Sequence, residues 1–374
     1  MSLFLGLMSG TSLDGIDGVA VEWPADDAPA MQVLGHVQHG YEPRLRDQLL
    51  DLNDRGPDEL ERAASAAIAV AHAYVGVVQA LLSQAKVQAG HVRALGAHGQ
   101  TVRHCPQAAG GGFSIQLLNG AVLAERCSID VVCDLRSRDL AAGGQGAPLV
   151  PAFHADRFAA AGQSRAVLNL GGIANLTLLH ADGHVGGFDC GPANVLMDTW
   201  ITDQRGFSHD ADGQWAATGQ VNPTLLQQML SEPYFQRSPP KSTGRDLFQR
   251  SWLHAQLASL NRAVAPADVQ ATLAELTARS AADALQRHLP DASGLWVCGG
   301  GAFNKHLLSR LSALLPRLSV QTSDMLGLPA QQVEATAFAW LAREFVAGRG
   351  GNRPDVTGAS GSRVLGCLYP GGPR

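Results

Sequence analysis

Lysine is nearly absent from this chain: of 28 basic residues only Lys86, Lys241 and Lys305 are lysines, and 33 acidic residues leave a net charge of −5. Without a basic field there is nothing to hold a nucleic-acid backbone, and no basic cluster points to an anionic membrane surface. Paired cysteines are missing as well. Cys105, Cys127, Cys133, Cys190, Cys298 and Cys367 lie far apart with no Cys-x-x-Cys spacing. That usage excludes a zinc ribbon or a disulfide framework and fits buried thiols in a reducing compartment. The 13 histidines include no H-E-x-x-H or comparable pair, so no protein-built metal site is expected. No run approaches the roughly 18 apolar residues of a membrane helix. The opening MSLFLGLMSGTS has no basic segment before its apolar run, so it reads as a first core strand and not as a signal peptide. Together these absences predict a cytoplasmic protein.

The apolar residues that are present make up 45% of the 374, against 16% charged, a globular profile long enough for two domains. Leu3 to Met8, Gly18 to Trp23 and Met31 to Val37 read as three strands of an antiparallel meander. Leu60 to Ala85 carries helical spacing, Val92 to Ala97 and Ile129 to Leu135 read as strands, and a glycine-rich loop spans Ala141 to Pro148. The opening theme then recurs. Ala166 to Leu170, Ala174 to Leu179 and His184 to Phe188 read as a second meander, helices follow from Val195, and Gln331 to Val346 is helical before a Gly/Arg/Pro-rich tail. Two copies of one α/β plan, each a meander followed by helices and strands, are therefore expected. With a cleft between them, the first turn of each meander would face a shared ligand, which suits phosphoryl transfer.

Four groups of residues carry candidate chemistry. In the first, Ser9-Gly10-Thr11-Ser12-Leu13-Asp14-Gly15-Ile16-Asp17 joins two strands. Its glycines allow close backbone approach, its hydroxyls and amides suit phosphate oxygens, and Asp14 or Asp17 could hold magnesium through water. It reads equally well as a polar hairpin. In the second, Gly299-Gly300-Gly301 with Asn304 stands between a strand and a helix, where three glycines favour nucleotide contact over a plain turn. The third combines Asn169-Leu170-Gly171-Gly172-Ile173-Ala174-Asn175 with Gly187-Phe188-Asp189-Cys190-Gly191-Pro192-Ala193-Asn194. Here Asp189 either projects from a strand end into a cleft or caps the helix that follows. The fourth holds His98, Gln100, Thr101, Arg136, Arg138 and Asp139, dense polar groups that suit a hydroxylated ligand or else form a surface ion-pair cluster.

Read in order, SGTSLDGID, GAHGQTVRH, DLRSRDLAAGGQGAPLVPAFH, NLGGIAN, GFDCGPANVLMD, WVCGGGAFN and LPAQQVEATAFAWLA resemble the anhydro-N-acetylmuramic acid kinases, from about Leu5 to Arg343. The resemblance implies an actin-like, ribonuclease H-like kinase fold of two lobes with duplicated mixed sheets and ATP in the cleft. The lobes would span 1–133 and 134–349, with the tail 350–374 packing on the first. It further implies that the 1,6-anhydro bridge of anhydro-N-acetylmuramate is hydrolysed while O6 is phosphorylated, giving N-acetylmuramate 6-phosphate and ADP in peptidoglycan recycling. Asp189 would be the general base. Gly10 to Asp17, Gly171, Gly172, Asn175, Gly299 to Gly301 and Asn304 would meet ATP and its Mg²⁺, and His98, Gln100, Thr101, Arg136 and Glu334 the amino sugar. The family pattern around the base is closer to DTGPGN, so Cys190 and Ala193 depart from it.

Two other functions fit the same pattern, an ordinary hexose or amino-sugar kinase and a non-catalytic actin-like nucleotide-binding protein. The expected partner is a small amino sugar, with no nucleic acid and no membrane. A homodimer is left open.

Overall fold

The computed structural model describes residues 1–10, 13, 15–24, 31–244, 247–260 and 262–372. The chain divides into two compact units, Met1–Arg157 with Gln332–Arg374, and Phe158–Gln331. The first unit begins with β1 Ser2–Met8, β2 Ile16–Trp23 and β3 Gln32–His39, and continues with β4 Val92–Ala97, β5 Gln100–Cys105, β6 Phe113–Leu117 and β7 Val131–Cys133. The second unit contains β8 Arg165–Leu170, β9 Ile173–Leu179, β10 Val185–Pro192, β11 Gly294–Cys298 and β12 Ser319–Thr322. On returning to the first unit, the chain adds β13 Cys367–Tyr369.

The duplicated plan is visible in the sheets. In the first unit the order is β13-β7-β4-β1-β2-β3, and in the second it is β10-β9-β8-β11-β12. Each sheet holds an antiparallel three-strand meander whose first strand then pairs in parallel with a later strand: β1 with β4, and β8 with β11. The two sheets differ in size, the second having five strands and the first six. The first gains β13, which runs antiparallel to β7 at the sheet edge, and a separate ribbon of β5 and β6.

In β1 the apolar run Leu3 to Leu7 is buried throughout, as expected of a strand covered on both faces. One face, through Leu5 and Leu7, joins a core with Val70, Tyr74, Val77 and Leu81 of the helix Glu59–Ala85. The other face receives the helix Val333–Val346, and glycine is what lets it in. A Cβ on Gly6 would stand 2.0 Å from the Ala335 carbonyl oxygen, and one on Gly96 2.0 Å from that of Phe338. Such distances allow no side chain on the strand at either crossing.

That contact explains where the units divide. The expected boundary at 133/134 falls inside the first unit, and residues 332–349, assigned by sequence to the second lobe, lie in the first. Helix Glu59–Ala85 also corrects the expectation of no membrane-length apolar stretch. It is long and apolar enough by length and composition to cross a membrane, with a high mean hydropathy. Its alanines raise that mean, and one face carries the buried residues Ala66, Val70, Ala71, Tyr74, Val77, Val78 and Leu81. Helices with a buried face in a folded core pass the same test, so it is weak evidence for a span.

Replacing Gly6 by alanine forces the Val333–Val346 helix off β1. A loss of about 1–3 kcal/mol is expected, measured by denaturant unfolding. Stability within about 0.5 kcal/mol of the parent would show that the helix yields without cost.

Candidate functional site

In the first unit, parallel pairing of β1 with β4 sets the ends of the two strands side by side, with Ala97 opposite Leu7. The His98 amide continues this pairing, donating to the Leu7 carbonyl at 3.0 Å. Its ring Nδ1 lies 3.0 Å from the Ser9 carbonyl oxygen, and Nε2 lies 2.8 Å from Nη2 of Arg136. A carbonyl only accepts and a guanidinium only donates, so the ring is neutral with its proton on Nδ1. Burial first and Arg136 second push its pKa down to about 3, in keeping with that tautomer. Arg136 also donates through Nη1 to the Gly146 carbonyl at 2.7 Å.

Gln100 is fully buried and ties the same loop from the other side. Its Nε2 donates to the Gly10 carbonyl at 3.0 Å, and its Oε1 accepts from Tyr41 at 3.3 Å. The Ser9 hydroxyl lies 2.7 Å from that of Tyr74 and donates to Gly99 O at 3.0 Å. The polar atoms of His98 and Gln100 therefore engage protein backbone and neighbouring side chains. Thr101 is half-buried and accepts from Gln116 at 3.1 Å, Asp17 on β2 meets His36 at 3.3 Å, and Glu334 stands in the first turn of its helix. Leu13 is buried with a φ of 59°, and its amide donates to the Gly10 carbonyl at 3.3 Å. Thr11, Ser12 and Asp14 lie outside the described residues.

Asp139 is not part of a surface ion pair, although its neighbour Arg138 is exposed. The carboxylate is fully buried and accepts from the Gly146 amide at 2.8 Å and from Asn352 and Thr357 at 2.7 Å each. Neutral donors compensate its burial and fasten the glycine-rich loop to the tail.

In the second unit Asp189 sits on β10, half-buried, beside a register shift at Cys190. Asn175 Nδ2 donates to Oδ1 at 2.9 Å and the Thr243 amide donates to Oδ2 at 3.0 Å. Tyr234 donates to the Asp189 carbonyl at 2.6 Å. The carboxylate is thus held in one orientation by two neutral donors, and the helix-cap reading fails because the donors come from β9 and from residue 243. Register places Asn169 opposite Asn175 and Asn175 opposite Asp189, so the three form one row across β8, β9 and β10. Asn169 Oδ1 is buried and has no hydrogen-bond partner among the described residues.

The carboxyl ends of the parallel strands β8 and β11 run into two glycine turns, an arrangement that favours ligand approach. A Cβ on Gly171 would have nothing nearer than 3.8 Å, and one on Gly300 nothing nearer than 3.9 Å. Gly299 and Gly301 instead pack tightly: a Cβ would stand 2.3 Å from Asn169 Oδ1 at the first and 2.6 Å from Leu170 Cβ at the second. Gly171 and Gly172 accept through their carbonyls from the amides of Asn194, Ala193 and Val195. Asn304 caps the helix Lys305–Leu314, its Oδ1 accepting from the Leu307 amide at 2.9 Å.

Asn175 was expected among the nucleotide contacts, yet its amide lies on Asp189. Asn194, present in the third group without a role of its own, donates to the Leu170 carbonyl at 3.0 Å and joins the end of β8 to a helix start. The Gly-Pro-x-Asn spelling was its only signal. Thr243 had none, because it acts through its backbone.

The family model for anhydro-N-acetylmuramic acid kinase matches residues 2–371. Proteins carrying that name are similar along nearly the whole chain. One from Bordetella petrii is 56% identical over 98% of this chain and 96% of its own, and one from Variovorax paradoxus is 54% identical over 98% and 99%. Another, from Albidiferax ferrireducens, is 52% identical over 98% and 99%.

Because native His98 stays neutral while the unfolded ring titrates near 6.5, the unfolded chain holds the extra proton between pH 6.5 and about 3. Stability is unaffected by this group above that window and falls through it as pH drops, by roughly 1 kcal/mol per pH unit. Unfolding titrations between pH 6 and 4.5 should be less steep in His98→Asn by about one proton. Equal slopes would show that the ring is protonated in the fold.

Proposed function

Since the chain belongs to the anhydro-N-acetylmuramic acid kinase family, we propose that it opens the 1,6-anhydro bridge of anhydro-N-acetylmuramate with water and phosphorylates O6 from ATP. The products are N-acetylmuramate 6-phosphate and ADP, and the reaction serves the recycling of peptidoglycan. The observation that carries this reading is the Asp189 carboxylate, oriented by the Asn175 amide and the Thr243 N–H.

A bridged sugar has no proton on O6, so a base in this reaction acts on water. Asp189 takes a proton from water as its oxygen bonds to C1, the C1–O6 bond breaks, and O6 attacks the γ-phosphorus as ADP leaves. In this reading Asn175 is a positioning residue. The open turns at Gly171 and Gly300 leave room beside β8 and β11 for the nucleotide, with Gly172, Gly299 and Gly301 shaping the backbone there. The loop from Gly10 through Thr11, Ser12, Leu13, Asp14, Gly15 and Ile16 to Asp17 binds phosphate, and His98 and Gln100 hold its start in place. Thr101, Arg136 and Glu334 supply polar groups to the sugar.

Among the described residues no three His, Cys, Asp or Glu side chains converge as a metal cage. That donor set fits a magnesium ion carried by ATP, which takes most of its ligands from phosphate and water. Asp17 or Asp14 would hold one of those waters, and the ion would neutralise charge on the transferred group.

Asp189→Asn keeps the size of the side chain and removes the base, so turnover should fall by about 10²–10⁴-fold with ATP affinity retained. Reaction in ¹⁸O-water should label C1 of the product and leave the phosphate unlabelled. Label in phosphate would show water attacking the γ-phosphorus and not C1, and efficient ADP release with free N-acetylmuramate or hexoses would favour a plain sugar kinase.

Asn175→Ala separates positioning from nucleotide binding. If the amide orients the base, kcat falls by about tenfold or more while KM for ATP is unchanged. A raised KM for ATP at constant kcat would return Asn175 to the nucleotide.

A further inference from the structure

Cys133 and Cys367, far apart in the chain, are directly opposed in the antiparallel pairing of β7 with β13. Opposed residues in such a ladder have Cα atoms about 4.5 or 5.5 Å apart, depending on whether the pair exchanges hydrogen bonds. Both values lie within the roughly 4.4–6.8 Å that a disulfide spans. Direct opposition also puts both side chains on one face of the sheet. Each thiol is among the groups that shift the other's pKa, so the two sulfurs stand close enough to influence each other. Cys133 is closely packed: a Cβ on Gly120 would stand 2.9 Å from its Sγ and 2.6 Å from the Tyr369 ring. The two differ in access, since Cys367 is exposed and Cys133 is buried.

We propose that Cys133 and Cys367 form a thiol–disulfide exchange site, with exposed Cys367 as the entry thiol, buried Cys133 as the resolving thiol, and a low-molecular-weight disulfide of the glutathione class as the oxidant. The Cys367 thiolate attacks one sulfur of the small disulfide and expels one thiolate. Cys133 then gives up its proton to solvent and displaces the second small thiol from the mixed disulfide. Two protein thiols are oxidised by two electrons, and one small disulfide is reduced to two thiols. The product pins the short exposed edge strand β13 to the sheet.

Burial, above all, raises both thiols from their usual range, and neighbouring Asp134 adds to the effect. Tyr369 is a further titratable group coupled electrostatically to the pair, its own pKa raised by the two thiols. The thiolate fraction of Cys367 is accordingly small near neutrality, so exchange is slow there and quickens about tenfold per pH unit as pH rises towards the thiol pKa.

The test incubates the native full chain with oxidised glutathione at pH 7 and pH 8.5 and follows intact mass and peptide maps. The expected product has lost two hydrogens, about 2 Da, with the peptide containing Cys133 joined to that containing Cys367, and dithiothreitol reverses it. Cys133→Ser should instead accumulate a glutathione adduct on Cys367. Cys367→Ser, altered at an exposed position, should leave Cys133 reduced. Amide exchange at Leu368 should slow at least ~10-fold in the oxidised protein. Two free thiols after prolonged incubation at pH 8.5, a stable adduct on wild-type Cys367, or a link to another cysteine would each overturn the proposal.

Discussion

The approach of the Val333–Val346 helix to bare backbone at Gly6 and Gly96 is the constraint from which the organisation of the first unit follows. A helix that contacts strands this closely cannot be shifted sideways or replaced by one with a different face. Residues late in the chain therefore have to come back to strands made at its beginning. The return brings Asn352 and Thr357 onto Asp139, and β13 onto β7. Asp139 in turn holds the Gly146 amide, whose carbonyl receives Arg136, whose other nitrogen meets His98. A packing contact made by two missing side chains thus leads, bond by bond, to the loop at Ser9 and Gly10.

The two units treat their polar residues differently. In the first, the side chains that looked like ligand contacts mostly serve the protein: His98 and Gln100 hold loop carbonyls, and the ring of His98 is kept neutral so that it can do so. In the second, a side chain and a backbone N–H hold another side chain, Asn175 and Thr243 together fixing a carboxylate. Beside them the glycine turns after β8 and β11 leave backbone accessible where other residues would cover it. Both solutions orient polar atoms at the time of folding, so that little rearrangement remains when a ligand arrives.

Periodicity revealed the meanders well, because a strand's burial pattern is a local property. Val92–Ala97 was delimited to the residue, and β1, β2, β8 and β9 to within two residues at each end. Ile129 to Leu135 shrank to Val131–Cys133, because Asp134 turns the backbone to a φ of 53°. What local pattern could not show was partnership over distance. The destination of the Val333–Val346 helix depends on two glycines near residues 6 and 96, and the opposition of Cys133 and Cys367 on a register that no spacing rule encodes. The site followed the same division. Local pattern left Asp189 open between a strand end and a helix cap, whereas β10 runs on to Pro192, and the glycine turns were read from composition. The donors to Asp189 did not, since one is a backbone N–H 54 residues away in sequence.

The order in which the polypeptide is made adds a further consequence. The second unit is one uninterrupted stretch, Phe158–Gln331, whereas the first needs both ends of the chain. During vectorial synthesis the segment made first waits for the segment made last, and the middle has everything it needs before either end is finished. Until Val333–Val346 has been made, the crevice over Gly6 and Gly96 has no helix to fill it, and β1 and β4 keep that apolar face uncovered. Chaperone demand on the nascent protein would therefore concentrate on β1 and β4 and ease once that helix forms.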